Sequence, residues 1–205
     1  MNSDRLRLPL LLAVVALLAA CNTVFSEQPM LNGAPPATQV PRPGLWVSTD
    51  PDCKVAIASP VRDWPNCARF VILDATGAIL LGDIDRREGD KELSLSIRFG
   101  ARDPALAEIR IDDPADPAAN GYAYIAFAPD GDGQGRELTK LRFWWVKCGP
   151  SQGEKYPGID EKCRPASLAA ILGAARNSSN DDVETMRWVR QPGPGDLPTG
   201  TKTSR

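Results

Sequence analysis

Between residues 44 and 191 the apolar side chains recur at every second position far more often than at every third or fourth. The clearest case is residues 92–99, where Leu93, Leu95, Ile97 and Phe99 alternate with polar residues, the pattern of a half-buried strand. Residues 45–48 and 54–57 predict short strands. In residues 68–73, Phe70 and Ile72 share one face while Val71 and Leu73 share the other, which predicts a central strand or one covered on both sides. Asp74, Ala75, Thr76 and Gly77 then predict a hairpin turn into residues 78–81, with Gly77 free to take a positive φ. Residues 106–111, 122–128 and 138–147 extend the series, and the last two predict one long aromatic-rich hairpin.

A helical period appears once, late in the chain. Residues 166–176 place Leu168, Ile171, Leu172 and Ala175 at three-to-four spacing behind Pro165. Residues 183–190 are open to either period, and their alternation fits a closing strand slightly better than a helix. Seven or eight strands with one late helix lack the strand–helix alternation of a doubly wound sheet. The expected fold is mainly β, a single compact antiparallel β-barrel or β-sandwich with one late α-helix. Gly44-Leu45-Trp46 resembles the Gly-x-Trp opening of lipocalin-like barrels, and that resemblance favours the barrel.

The first 20 residues follow another logic. Arg5 and Arg7 precede an apolar stretch of 13 residues, 8–20, broken by Pro9. This is the pattern of a secretory signal, too short to serve comfortably as a spanning helix. It ends in Leu18-Ala19-Ala20-Cys21, which resembles the lipobox of bacterial lipoproteins. The resemblance implies cleavage before Cys21, lipid attachment to its thiol and acylation of its new amino group. Several acyl chains on one residue hold a protein firmly at a membrane surface. Asn22, in place of the Asp associated with inner-membrane retention, points to the outer membrane, with the domain facing the periplasm. The alternative is an ordinary secreted protein with a free Cys21.

The expected organisation is then a signal peptide (1–20), a lipidated Cys21 with a proline-rich spacer (21–43), a β-rich domain (44–191) and a disordered tail (192–205). Pro29, Pro35, Pro36, Pro41 and Pro43 favour an extended spacer with little surface to bury. Without Arg5, Arg7 and Asp4 the mature chain keeps 22 basic and 25 acidic residues, so it carries no electrostatic footprint for nucleic acid.

Apart from Cys21 the cysteines are Cys53, Cys67, Cys148 and Cys163, an even set in a chain bound for an oxidising compartment. Four cysteines allow three pairings. Sequential pairing is preferred because each pair then brackets a loop rich in turn residues. Closing a loop of about 15 residues stabilises by roughly 3 kcal/mol in the chain-entropy model. The cysteines lack the close spacing of a zinc site and the C-x-x-C of a redox site.

Candidate chemistry is sparse. The chain has no histidine, which removes Ser-His-Asp and Cys-His catalysis and imidazole metal sites. Asp130, Asp132, Gln134 and Gly135 resemble the start of a calcium loop, but Leu141 stands where a bidentate Glu is required. The acidic groups Asp83, Asp85, Glu88 and Asp90, and likewise Asp112, Asp113 and Asp116, read as charged loops. The adjacent Trp144 and Trp145 point to opposite sides of their strand, and Trp144, Tyr122 and Tyr124 are the candidate binding surface. Arg187 and Arg190 would add a basic rim near Trp188. The expectation is a non-catalytic envelope lipoprotein, needing no cofactor or metal, that binds a protein, glycan or lipid or supports an assembly. The alternatives are a carrier of small apolar ligands in a barrel cavity and a histidine-free hydrolase of envelope glycans.

Overall fold

The structure is a computed structural model. It describes residues 22–48, 52–65, 67–75, 78–82, 94–101, 103–111, 120–131, 135–150, 153–193 and 195–196, with backbone alone for 78–82, 94 and 95. Eight strands form a closed antiparallel circuit: β3 (Gly44–Ser48), β4 (Phe70–Leu73), β5 (Ala78–Gly82), β6 (Ser94–Gly100), β7 (Ala105–Ile111), β8 (Gly121–Pro129), β10 (Lys140–Trp145) and β11 (Glu184–Arg190). Each pairs with the next, and β11 returns to β3. The circuit is a meander barrel, and closure pairs the first strand with the last. Among the described residues three two-residue strands sit outside the circuit: β1 (Phe25–Ser26), β2 (Val40–Pro41) and β9 (Glu137–Leu138).

The period-two pattern becomes inside and outside. Trp46, Ile97, Ala107, Phe127, Leu141 and Met186 belong to one buried cluster inside the barrel. The opposite faces of the same strands are also apolar because two covers lie on them. The helix α1 (Leu168–Asn177) buries Ala170, Ile171, Ala174 and Ala175 in a second cluster with Leu106, Tyr124, Ala126 and Trp144. Small residues let its backbone approach the wall closely, and full burial of Ile171 alone stabilises by about 1.5–3 kcal/mol. Ser167 caps the helix, its Oγ accepting from Ala170 N–H at 3.2 Å, so the helix starts two residues later than Pro165 suggests.

The second cover is the connection from β3 to β4. Val61 and Trp64 pack on Leu45, Val47 and Ile72. This explains why residues 68–73 are apolar on both faces. Residues 54–57, expected as a strand, form no ladder here. Their alternation reflects Val55 leaning on this outer cluster. Thr76 and Gly77 of the expected hairpin turn lie outside the described residues.

The barrel ends differ. At the end holding Gly44 and Arg190, β2 pairs in parallel with β9 and Leu138 enters the interior cluster as a plug. The Arg42 guanidinium stacks 4.2 Å over the Trp188 ring, and Trp46 Nε1 donates to Arg42 O at 2.8 Å. Gly44 sits at φ +138°, and a Cβ there would lie 2.9 Å from Arg190 O and overlap Trp188 Nε1. Only glycine fits beneath that indole.

The region expected to be a spacer is part of the folded body. Val24 and Leu31 are buried in the helix-side cluster, β1 pairs with β8, and Ala101 N–H donates to Pro35 O. The segment runs along the outer wall from the Trp145 end to the plugged end, where it becomes β3. Its prolines set an extended course, but Val24, Met30 and Leu31 supply apolar contacts that a proline count misses. At the other terminus Asp196 is buried as well, so the expected tail is tied down at least that far. Residues 197–205 lie outside the described residues.

Candidate functional site

Of the three aromatics expected to form a surface, two are closed off. Trp144 is 5% exposed under α1, with its Nε1 donating to Ala175 O at 2.8 Å. Tyr124 is fully buried; its hydroxyl lies 2.6 Å from Ser26 Oγ and donates to Glu108 Oε2 at 3.4 Å. Burial, reinforced by the Glu108 charge, pushes this phenol well above its ordinary range and keeps it neutral. Tyr122 is half-buried against the same cluster. These side chains fasten the N-terminal segment and the helix to the barrel wall.

The exposed aromatic is Trp145, at 43%. It has the inward parity of Leu141 and Phe143, but it is the last residue of β10 and emerges at the barrel rim opposite the plug. Val183, 36% exposed, precedes β11 at that rim. The Arg69 guanidinium pairs with Glu184 at 3.1 Å. The chain leaving β10 carries Lys147, whose ammonium donates to Asp182 at 2.8 Å and lies 3.8 Å from Asp181. The Asp182 hydrogen bond holds this lysine's pKa above the usual value.

The N-terminal segment begins at this rim. Thr23 bridges to Lys147, Asn22 Nδ2 donates to Gly149 O at 2.8 Å, and Cys148 N–H donates to Asn22 O at 3.1 Å. The Cys148–Cys163 disulfide lies alongside, since Phe25 N–H donates to Cys163 O. A Cβ at Gly149 would meet Lys155 Cα at 3.1 Å and overlap Glu154 O, so glycine is needed where this loop folds on itself.

Two carboxylates are buried among the described residues, and both have structural partners. Glu108, 3% exposed, accepts from Met30 N–H at 2.6 Å and Leu31 N–H at 2.9 Å. Asp196 accepts from Gly193 N–H at 2.6 Å, Val61 N–H at 3.0 Å and the Arg190 guanidinium. Burial alone would raise the Asp196 pKa, but Arg190 and the two N–H groups outweigh it and hold the carboxyl below its ordinary value. Arg190 is thereby neutralised and adds nothing to a basic rim, while Arg187 stands exposed on the outer face.

A cleft of about 580 Å³ opens between the plug and the β6–β7 wall, bordered by Pro43, Leu73, Ile97, Phe99, Arg98 and Glu137. Both sequential disulfides are present, Cys53–Cys67 and Cys148–Cys163. Asp130 of the calcium-like loop pairs with Lys140 at 2.5 Å, and residues 132–134 lie outside the described residues, as do Cys21, Asp83–Asp90 and Asp112–Asp116. Among the described residues no cluster of three or more acidic or cysteine side chains is placed to hold a metal ion. No helix among them is long and apolar enough to cross a membrane. No family model, curated protein or solved structure matches this chain.

Of the two adjacent tryptophans, the structure buries Trp144, the one expected at the surface, and exposes Trp145. The signal was available in the helix. Its apolar stripe needs an apolar wall, and Trp144 shares a face with Tyr124 and Ala126, whereas Trp145 ends a strand.

Proposed function

We propose that this protein is a non-catalytic lipoprotein of the bacterial cell envelope, acylated at Cys21, which presents a disulfide-stabilised β-barrel for binding or assembly at the membrane surface. The observation that carries the reading is the junction between residues 20 and 22. The lipobox-like Leu18-Ala19-Ala20-Cys21 ends one residue before the body begins, because Asn22 is already hydrogen-bonded to Cys148 and Gly149. Cleavage before Cys21 would leave the body whole with an acylated residue at its edge. The position of Asn22 supports the outer membrane, with the barrel in the periplasm, where two disulfides are stable. A neighbouring envelope protein or a glycan is the partner class this placement favours.

The test is mass analysis of the native N-terminal peptide, residues 21–42, from purified envelopes. Diacylglyceryl and acyl additions on Cys21 are expected, and Cys21→Ser should abolish membrane retention. An unmodified thiol, or an intact leader on the mature chain, overturns the reading.

A carrier of small apolar ligands is the second reading. It is supported by the closed meander, by the Gly44-Leu45-Trp46 opening that resembles lipocalin-like barrels, and by the cleft at the plugged end. The interior cluster, which buries Trp46, Phe127, Leu141 and Met186 together, favours the first reading because it occupies space a ligand would take.

A further inference from the structure

We infer that the barrel rim carrying Trp145 docks on a phospholipid surface, with the Trp145 indole in the headgroup layer of the membrane that holds the anchor. The inference rests on the acylation of Cys21 proposed above and adds an orientation to it. A lipoprotein with a long flexible spacer can point any face at its membrane. This chain has no such slack among its described residues. The acyl-bearing residue is followed at once by Asn22, which is held by hydrogen bonds to Gly149 O and from Cys148 N–H, and then by Thr23, bridged to Lys147. One residue of extended chain spans at most about 3.6 Å. The point where Asn22 meets the barrel therefore cannot stand far above the lipid.

That point is the end of β10, two residues beyond Trp145. Trp145 and Val183 are two of the three most exposed large apolar side chains among the described residues, and both occupy this rim. Tryptophan is suited to the membrane interface, since its ring partitions into the acyl boundary while its N–H stays hydrogen-bonded. The charges nearest the rim are largely matched: Arg69 with Glu184, Lys147 with Asp181 and Asp182, Arg164 with Glu27. They can approach a headgroup layer without a large unpaired charge of either sign. The plugged end, with Arg42 and Trp188, then faces away from the membrane.

The experiment uses the acylated full chain reconstituted in vesicles of phosphatidylethanolamine and phosphatidylglycerol, part of the lipid carrying bromine near the headgroup end of its acyl chains. Trp46, Trp64 and Trp144 are at most 5% exposed, and Trp188 lies at the plugged end. Bromine should therefore quench about one fifth of the emission of the five tryptophans, and Trp145→Phe should lose that quenching. The mass of the N-terminal peptide is measured on the same sample. Acylated Cys21 without Trp145-dependent quenching overturns the docking and leaves the lipoprotein reading standing. Unmodified Cys21 overturns both. Trp145 shielded from aqueous acrylamide yet untouched by brominated lipid would mean that a protein or a second copy covers the rim, and that also overturns the docking.

Discussion

Trp144 and Trp145 are consecutive residues of β10 on opposite sides of the barrel wall, one 5% and the other 43% exposed. Strand geometry requires the opposition, and α1 decides which indole is covered. Trp144→Ala would remove the hydrogen bond to Ala175 O and open a cavity beneath the helix, a change that typically costs about 3–5 kcal/mol. Trp145→Ala should stay within about 0.5 kcal/mol of the parent. Urea unfolding of the two variants measures the contrast, and equal losses would contradict the placement of the helix.

Glu108 fixes the N-terminal segment to β7 through two backbone N–H groups and the Tyr124 hydroxyl. Glu108→Ala strands those donors in a buried site, at about 1–3 kcal/mol for each that finds no water. The expected result is a loss of about 2–4 kcal/mol. Amide exchange at Met30 and Leu31 should accelerate at least tenfold while the barrel interior stays protected. Unchanged exchange at these two amides would show that the segment is held by other contacts.

The strand elements were legible because their signal is local. Alternation in residues 92–99 and 106–111 is a direct consequence of having one face inside, and the observed β6 and β7 follow it within two residues at each end. The disulfide pairing was legible for the same reason, since each bridge closes a short turn-rich loop. The course of residues 22–43 was not legible. Nothing in Val24, Met30 or Leu31 announces that a carboxylate 77 residues away accepts the Leu31 N–H, or that a barrel wall lies beneath. The structural role of Glu108 was hidden likewise, because one charged residue in a strand reads as solvent-facing unless the chain covering it is known. Asp196 looks like part of a tail in the sequence because the Val61 N–H it accepts from lies 135 residues away.

Asp196 should make the C-terminal attachment sensitive to acid. Its folded pKa is depressed below the ordinary carboxyl value of 3.8, so the folded state binds its proton less readily than the unfolded chain. The stability it contributes is present above about pH 3.8 and is lost as the pH falls through the lower folded value. Asp196→Asn should flatten this part of the stability profile between about pH 5 and 2 and lower stability at neutral pH. Urea midpoints measured across that range test it. A parent and a variant with parallel profiles would assign the acid sensitivity to other carboxylates.

The two disulfides close loops of similar length, with sequence separations of 14 and 15, yet their removal should be unequal. Loop entropy alone predicts about 3 kcal/mol for each. Cys67 is exposed and Cys53 half-buried, so replacing that pair with alanine should cost little beyond the entropy. Cys148 is fully buried in the helix-side cluster, its N–H donates to Asn22 O, and Cys163 O accepts from Phe25 N–H. Replacing Cys148 and Cys163 together should therefore cost more than the first pair and also speed amide exchange at Val24 and Phe25, where the segment from Cys21 joins the barrel. In the acylated protein the same double variant should reduce the quenching of Trp145 by brominated lipid, because a loosened Asn22 no longer fixes the rim against the membrane. Equal stability losses, with Val24 and Phe25 still protected, would mean that β1 is held by its pairing with β8 and not by the bridged loop.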